Sequence, residues 1–221
     1  MGDLSRGVPL PDYGTWCIIG PPKLETLILT ESLNVDLHVL PSMVVMNTTG
    51  FNRFEYRNIG IPKIINSIVL AIPRNVSIDF SDNKISCSAP DVFNYSTLLG
   101  SNIVEVFLSG NFLAEQFEYD VNGLTFRQIS PLKALTLSRN SIKSMSTNAF
   151  RHTVHLETLD LSQNFLRLFD IQISQLSQLT FLNVFYNLLT TLDSNRTGKL
   201  TAIFNSSKPC ANLSINFTGN P

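Results

Sequence analysis

His152 and His155, two imidazoles three places apart, come nearest in this sequence to the spacing of a metal site. Zinc needs three or four ligands, and no third lies near in the chain, so the two read as a surface pair on a connecting segment. Cys17, Cys87 and Cys210 are too scattered for a zinc pattern and too few for a disulfide framework. They are read as buried or unpaired thiols, or as one pair with a third partnered outside the chain. The glycine turns near Pro21 and from Ser109 to Asn111 do not follow the G-x-x-x-x-G-K-[ST] pattern of a phosphate loop. No Ser-His-Asp or Cys-His arrangement can be argued from the spacing. The residues thus assign no catalytic, cofactor-binding or metal role, no cofactor is implied, and the chain is not read as an enzyme.

The polar chemistry that does recur is that of a side-chain amide. "IVEVFLSGNFL" places Ile103, Val106, Leu108, Asn111 and Leu113 in one register, and "LKALTLSRNSI" repeats it with Leu132, Leu135, Leu137, Asn140 and Ile142. "LETLDLSQNFL" comes next with Leu156, Leu159, Leu161, Asn164 and Leu166, then "LTFLNVFYNLL" with Leu179, Leu182, Val184, Asn187 and Leu189. Weaker copies carry Ile78, Phe80, Asn83 and Ile85, and finally Ile215, Phe217 and Asn220. From Asn83 onward the asparagines are 28, 29, 24, 23 and 33 residues apart. Upstream the pattern fades. Leu24, Leu27 and Leu29 precede Ser32 where Asn is due, and Phe51, Phe54 and Tyr56 replace the leucines with Asn58 one place early.

Elements able to position such a column can be read from the pattern. Within L-x-L, strand alternation sends two apolar side chains inward and the one between them outward. One such unit cannot bury its apolar side alone, but stacked units share a continuous core with their strands in a parallel sheet. After each strand the chain turns inside that core and strands backbone N–H and C=O groups there, which need partners. An Asn amide carries both donors and an acceptor. Asn83, Asn111, Asn140, Asn164, Asn187 and Asn220 are therefore expected to be structural, bonded to the backbone of successive turns. Phe93 and Phe150 each lie ten residues after a column asparagine, and Ile142, Met145 and Phe150 should close the far side of the core. The return segments are too irregular for long amphipathic helices, so short helical turns and loops are expected there.

Bulk properties agree with a packed protein. Of 221 residues 43% are hydrophobic and 15% charged, which excludes wholesale disorder. A net charge of −1, with 16 basic and 17 acidic residues, gives no basic field for nucleic acid or an acidic membrane. The first residues have neither the basic nor the apolar region of a secretory signal, and Arg6 breaks the myristoylation pattern. The most apolar run, "IPKIINSIVLAIP", is shorter than the about 20 residues that a membrane-spanning helix needs.

The repeat resembles the leucine-rich repeat, L-x-x-L-x-L-x-x-N-x-L. The N-x-I-x-x-M-x-x-x-A-F arrangement from Asn140 to Phe150 resembles the form found in animal extracellular receptors, and the long irregular repeats look most like Toll-like receptor ectodomains. The implied fold is an α/β leucine-rich-repeat horseshoe with a parallel sheet on its concave face and irregular or short helical segments on its convex face. Residues 24–221 are assigned about seven or eight repeats, degenerate before residue 75, and residues 1–23 form an N-terminal segment or part of a preceding repeat. Such receptors also carry cysteine-rich caps, a membrane helix and a cytoplasmic signalling domain. None is seen in these residues, so the chain is read as a piece of a longer receptor.

The resemblance implies non-catalytic recognition of a protein or microbial ligand, or of a sister receptor chain, with a homodimer among the expected assemblies. It places the chain on the extracellular side of the cell surface or in the endosomal lumen; a secreted adhesion or matrix protein is the alternative. Sequons at Asn47, Asn75, Asn94, Asn195, Asn205, Asn212 and Asn216 point the same way, exceeding the roughly four expected by chance. Candidate contact residues are outward positions of the concave sheet: Phe107, Arg139, Asp160, Phe181, Asn183, Phe185 and Tyr186. The three aromatics among the last four stand out, since clustered exposed aromatics mark contact sites. A solenoid that stops at an ordinary repeat exposes apolar core, so the isolated chain is expected to associate in sedimentation experiments. Changing Phe181, Phe185 and Tyr186 to serine should reduce that association, and a monodisperse uncapped monomer would contradict it.

Overall fold

A computed structural model describes residues 15–19, 23–29, 42–46, 50–62, 68–70, 75–86, 102–127, 129, 131–190 and 213–221. The strands alternate between two parallel sheets. Three belong to a small sheet in the order β1 (Thr15–Ile19), β3 (Ser42–Met46) and β5 (Ile68–Leu70). Interleaved with them in sequence are β2 (Thr26–Leu29), β4 (Arg53–Tyr56) and β6 (Asn75–Asp79) of the main sheet. That sheet continues through β7 (Asn102–Phe107), β8 (Ala134–Thr136), β9 (Thr158–Asp160), β10 (Phe181–Asn183) and β11 (Ser214–Asn216). Its eight strands lie side by side in chain order, as one strand per turn of a solenoid requires. The chain is a leucine-rich-repeat solenoid.

Sequence alternation explains the packing. In β8, β9 and β10 the middle residue is buried and its neighbours face out, as with Leu135 between Ala134 and Thr136, and Leu159 between Thr158 and Asp160. Register puts Leu27, Phe54, Ile78, Val106, Leu135, Leu159, Leu182 and Ile215 in one ladder. The upstream stretches keep to it: Phe51, Phe54 and Tyr56 are fully buried where later repeats use leucine. Burial also pushes the Tyr56 phenol far above its ordinary value, so it stays protonated.

On the return side the first repeats differ from the expected loops and helical turns, because β3 and β5 lie there as strands. Their runs, "SMVVM" and "IVL", are rich in β-branched residues. Farther along, α1 (Ala114–Tyr119) is one short helix. Phe117, Phe126 and Phe150 stack with centroids 5.9 and 6.3 Å apart and close that side of the core together with Met145. Phe93, Cys87 and Cys210 lie outside the described residues, as do Asn47, Asn94, Asn195, Asn205 and Asn212.

The asparagines join turn to turn. Asn164 Nδ2 donates to Leu161 O of its own turn and to Leu137 O of the one before, each at 2.9 Å. Its Oδ1 accepts from the N–H of Asn140 and of Ile142, both at 3.0 Å. Asn83, Asn111, Asn187 and Asn220 likewise donate to a carbonyl of their own turn and to one of the previous turn, with Oδ1 accepting from Ile61, Ile85, Leu166 and Leu189. Asn140 reaches Leu108 O at 2.8 Å and Leu113 N at 3.3 Å.

One position before the column place, each described turn is left-handed. Asn58, Asp82, Gly110, Arg139, Gln163, Tyr186 and Gly219 have φ of 54, 58, 68, 55, 54, 49 and 77°. Asn58 is therefore not a displaced member of the amide column. It occupies the left-handed place, which Asn tolerates, and the column place falls to Ile59, whose N–H donates to Asn83 Oδ1 at 3.0 Å. Replacing Asn164 by Ala should cost about 1–3 kcal/mol for each buried group left unpaired. Gln163→Gly relieves the left-handed backbone and should be neutral or stabilising. Thermal melts that fall equally for the two variants would contradict this division of labour.

Candidate functional site

The outward side chains of the main sheet form two rows. One runs Thr26, Arg53, Ser77, Glu105, Ala134, Thr158, Phe181 and Ser214. The other runs Ile28, Glu55, Asp79, Phe107, Thr136, Asp160, Asn183 and Asn216. Adjacent strands are about 4.8 Å apart, so neighbours within a row touch. Beyond the strand ends, Arg57, Ser81, Ser109, Ser138, Ser162, Phe185 and Thr218 extend the surface, followed by the left-handed positions.

Charge concentrates on the first half. Arg53 pairs with Glu55 and lies 3.7 Å from Asp79; Arg57 lies 3.6 Å from Asp79 and 3.4 Å from Asp82. Asp79 is buried beneath these arginines and also accepts the Ser81 N–H at 2.9 Å. The Arg53 guanidinium sits 5.8 Å from the centroid of Phe107, within cation–π range. Arg139 reaches back across a whole repeat to Asp82 at 2.9 Å. It can do so because Gly110 stands between them: a Cβ there would collide with Asp82 Oδ1. Three arginines and three carboxylates thus neutralise one another within one connected group.

The second half is different in kind. Phe181 is 37% exposed and Tyr186 58%, with Phe185 half-buried between them in the chain. The rings of Phe185 and Tyr186 meet edge to face at 4.2 Å, and Tyr186 lies over Gly219, where a Cβ would come within 3.0 Å of its ring. Around them stand uncharged hydroxyls and amides and one carboxylate, Asp160. Asp160 Oδ1 accepts the Ser162 N–H at 2.8 Å, and Asn183 Oδ1 the Phe185 N–H at 3.2 Å.

The seven candidate contact residues are therefore not equivalent. Phe107 and Arg139 belong to the charged network, Asp160 and Asn183 close turns, and one repeat carries an aromatic patch in which Phe185 and Tyr186 touch and Phe181 stands apart at the start of β10, with Asn183 between. Sequence reasoning missed Phe112, Phe165 and Leu188, which are exposed on the flank of three different repeats. The signal was available: each directly succeeds a column asparagine, at a position that faces out. It also missed Arg53, Arg57 and Asp82, whose partners lie one or two repeats away. Among the described residues no group of three His, Cys, Asp or Glu could hold a metal ion, and no helix is long and apolar enough to cross a membrane.

Gly110→Ala should lower stability by about 1–2 kcal/mol, the cost of a left-handed residue with a Cβ, plus the displacement of Asp82. Arg139→Ala removes only an exposed ion pair and should cost less than about 1 kcal/mol. Chemical denaturation of the two variants compares them, and equal losses would contradict the account of Gly110.

A family model described as "Leucine rich repeat" matches residues 120–166 and 130–189. Over 143 residues, or 65% of the chain, the sequence is 32% identical to Toll-like receptor 4 of Pinctada imbricata, of which the match spans 15%. A crystal structure of the APL1 leucine-rich repeat domain superposes with a TM-score of 0.43 at 16% identity, covering 80% of this chain and 47% of that one. The chain is a leucine-rich-repeat region that resembles Toll-like receptors.

Proposed function

We propose that this chain is the recognition region of a Toll-like innate immune receptor, binding a protein or microbial ligand, or a sister receptor chain, without catalysing a reaction. The carrying observation is the aromatic patch of Phe181, Phe185 and Tyr186 on a sheet face where Ile28 and Phe107, the other large apolar residues of its outward rows among the described residues, stand singly. The charged half of that face satisfies itself, whereas the patch presents large rings and adaptable hydroxyls and amides. That combination gives contact area at low entropic cost, as in antibody paratopes. The similarity to a Toll-like receptor of Pinctada imbricata supports the receptor setting. The working location is then the extracellular surface or the endosomal lumen.

The full-length transcript tests the setting. A membrane helix and, beyond it, a Toll/interleukin-1-receptor domain are expected, whereas immunoglobulin or fibronectin modules would make the protein an adhesion molecule. The patch is tested in that full-length protein with a transcriptional reporter and bacterial and fungal cell-wall extracts. Changing Phe181, Phe185 and Tyr186 to serine should weaken the response at least about tenfold, the scale of one or more lost aromatic anchors. An unchanged dose response at equal surface level would move the contact elsewhere.

A further inference from the structure

Three asparagines lie close together at the aromatic patch, and their amides are used differently. Asn220 gives its Nδ2 to Val184 O and Phe217 O at 2.9 and 2.8 Å. Asn183 and its register partner Asn216 face outward, and each uses Oδ1 to accept the N–H two residues on, at 3.2 and 3.1 Å. Among the described residues neither outward asparagine has an acceptor for Nδ2. They differ two places on, where Asn183 has Phe185 and Asn216 has Thr218. Asn216-Phe217-Thr218 is a glycosylation acceptor, and Asn183-Val184-Phe185 is not.

We propose that Asn216 carries an N-linked glycan on the sheet face, and that this glycan forms one border of the aromatic patch; the inference rests on the exported-receptor reading. The acceptor geometry favours it. The local bond to Thr218 engages only the oxygen, so attachment at nitrogen leaves that turn intact. In the transfer, Asn216 Nδ2 bonds to the anomeric carbon of a lipid-linked pyrophosphoryl oligosaccharide. The bond from that carbon to the pyrophosphate oxygen breaks, the lipid pyrophosphate leaves with the electron pair, and Nδ2 gives one proton to a base of the transferring enzyme. Diagonal neighbours on adjacent strands are roughly 7–8 Å apart, which puts Phe185 beside the first sugar. Tyr186, reaching over Gly219, lies on the same side. The C–H faces of a pyranose pack well on aromatic rings. A partner would then approach the patch over Thr158, Asp160 and Phe181 and stop at the glycan.

The full chain, exported from animal cells behind an added signal, tests this by glycopeptide mass mapping. Asn75, exposed at the start of β6 in Asn75-Val76-Ser77, is the reference site. Asn216 should be occupied in wild type and in Thr218→Ser, and bare in Thr218→Ala and Asn216→Gln. Tyrosine nitration of the native protein should then mark Tyr186 several-fold more slowly in wild type than in Asn216→Gln, with exposed Tyr119 unchanged. Occupied Asn75 with bare Asn216 overturns the site and leaves the exported-receptor reading standing. Both bare counts against both. An occupied Asn216 with unaltered Tyr186 nitration overturns the border. Occupancy is scored on peptides, so it does not depend on any variant folding.

Discussion

One amide shared between two turns is the interaction on which this structure depends. Asn164 holds carbonyls of its own turn and of the one before, and satisfies two N–H groups in that earlier turn. Without it the turn's own polar groups would be buried unpaired in an apolar core; where Ile59 takes the place of the asparagine, the amide of the next repeat still pairs its N–H. The bond also fixes only the strand and the turn after it. That is why repeat length is free to vary from 23 to 33 residues while the register of the sheet holds. It is also why a return segment can be a strand near residue 44, a helix near residue 116 and an irregular path near residue 170. None of those choices disturbs the next amide.

Much of the main sheet was legible in the sequence because its constraint is periodic. Leucine at alternate places and asparagine three beyond the second say where the chain faces in and where it turns. The left-handed residue before the asparagine was not legible, since no common residue type marks it: Asn, Asp, Gly, Arg, Gln and Tyr all serve. Backbone geometry there is imposed by the turn, and the sequence only has to tolerate it. Asn58 misled for that reason, being an amide in the backbone-strained place and not in the bonded one. The small sheet was illegible for another reason. Its strands are short apolar runs without alternation, and such runs do not distinguish a strand from a loop packed on a core.

The aromatic patch could be found from sequence because it breaks a rule: Phe181, Phe185 and Tyr186 put three large rings in the outward columns of one repeat, where Ile28 and Phe107 stand singly in theirs. The charged network breaks none. Arg139 and Asp82 are 57 residues apart and look like ordinary surface residues until the stacking of repeats brings them together. Gly110 is the extreme case. Its importance lies in what it lacks, a Cβ that would stand between an acid and a base contributed by the repeats on either side.

The interleaved second sheet gives the first repeats a mechanical character that the later ones lack. In a solenoid paired along one wall only, the opposite wall is free to widen or narrow, and the coil can flex about its sheet. Where β1, β3 and β5 pair on the return side while β2, β4 and β6 pair on the other, both walls advance by the same strand spacing of about 4.8 Å. Bending such a segment would break hydrogen bonds on one wall or compress them on the other. Pairing on both walls should make it resist bending more than the repeats around α1 and residue 170, whose described return segments hold no paired strand. The locked charges sit toward the doubly paired end, and the aromatic rings ride on the later repeats, where small changes of curvature alter how far apart neighbouring turns present their side chains.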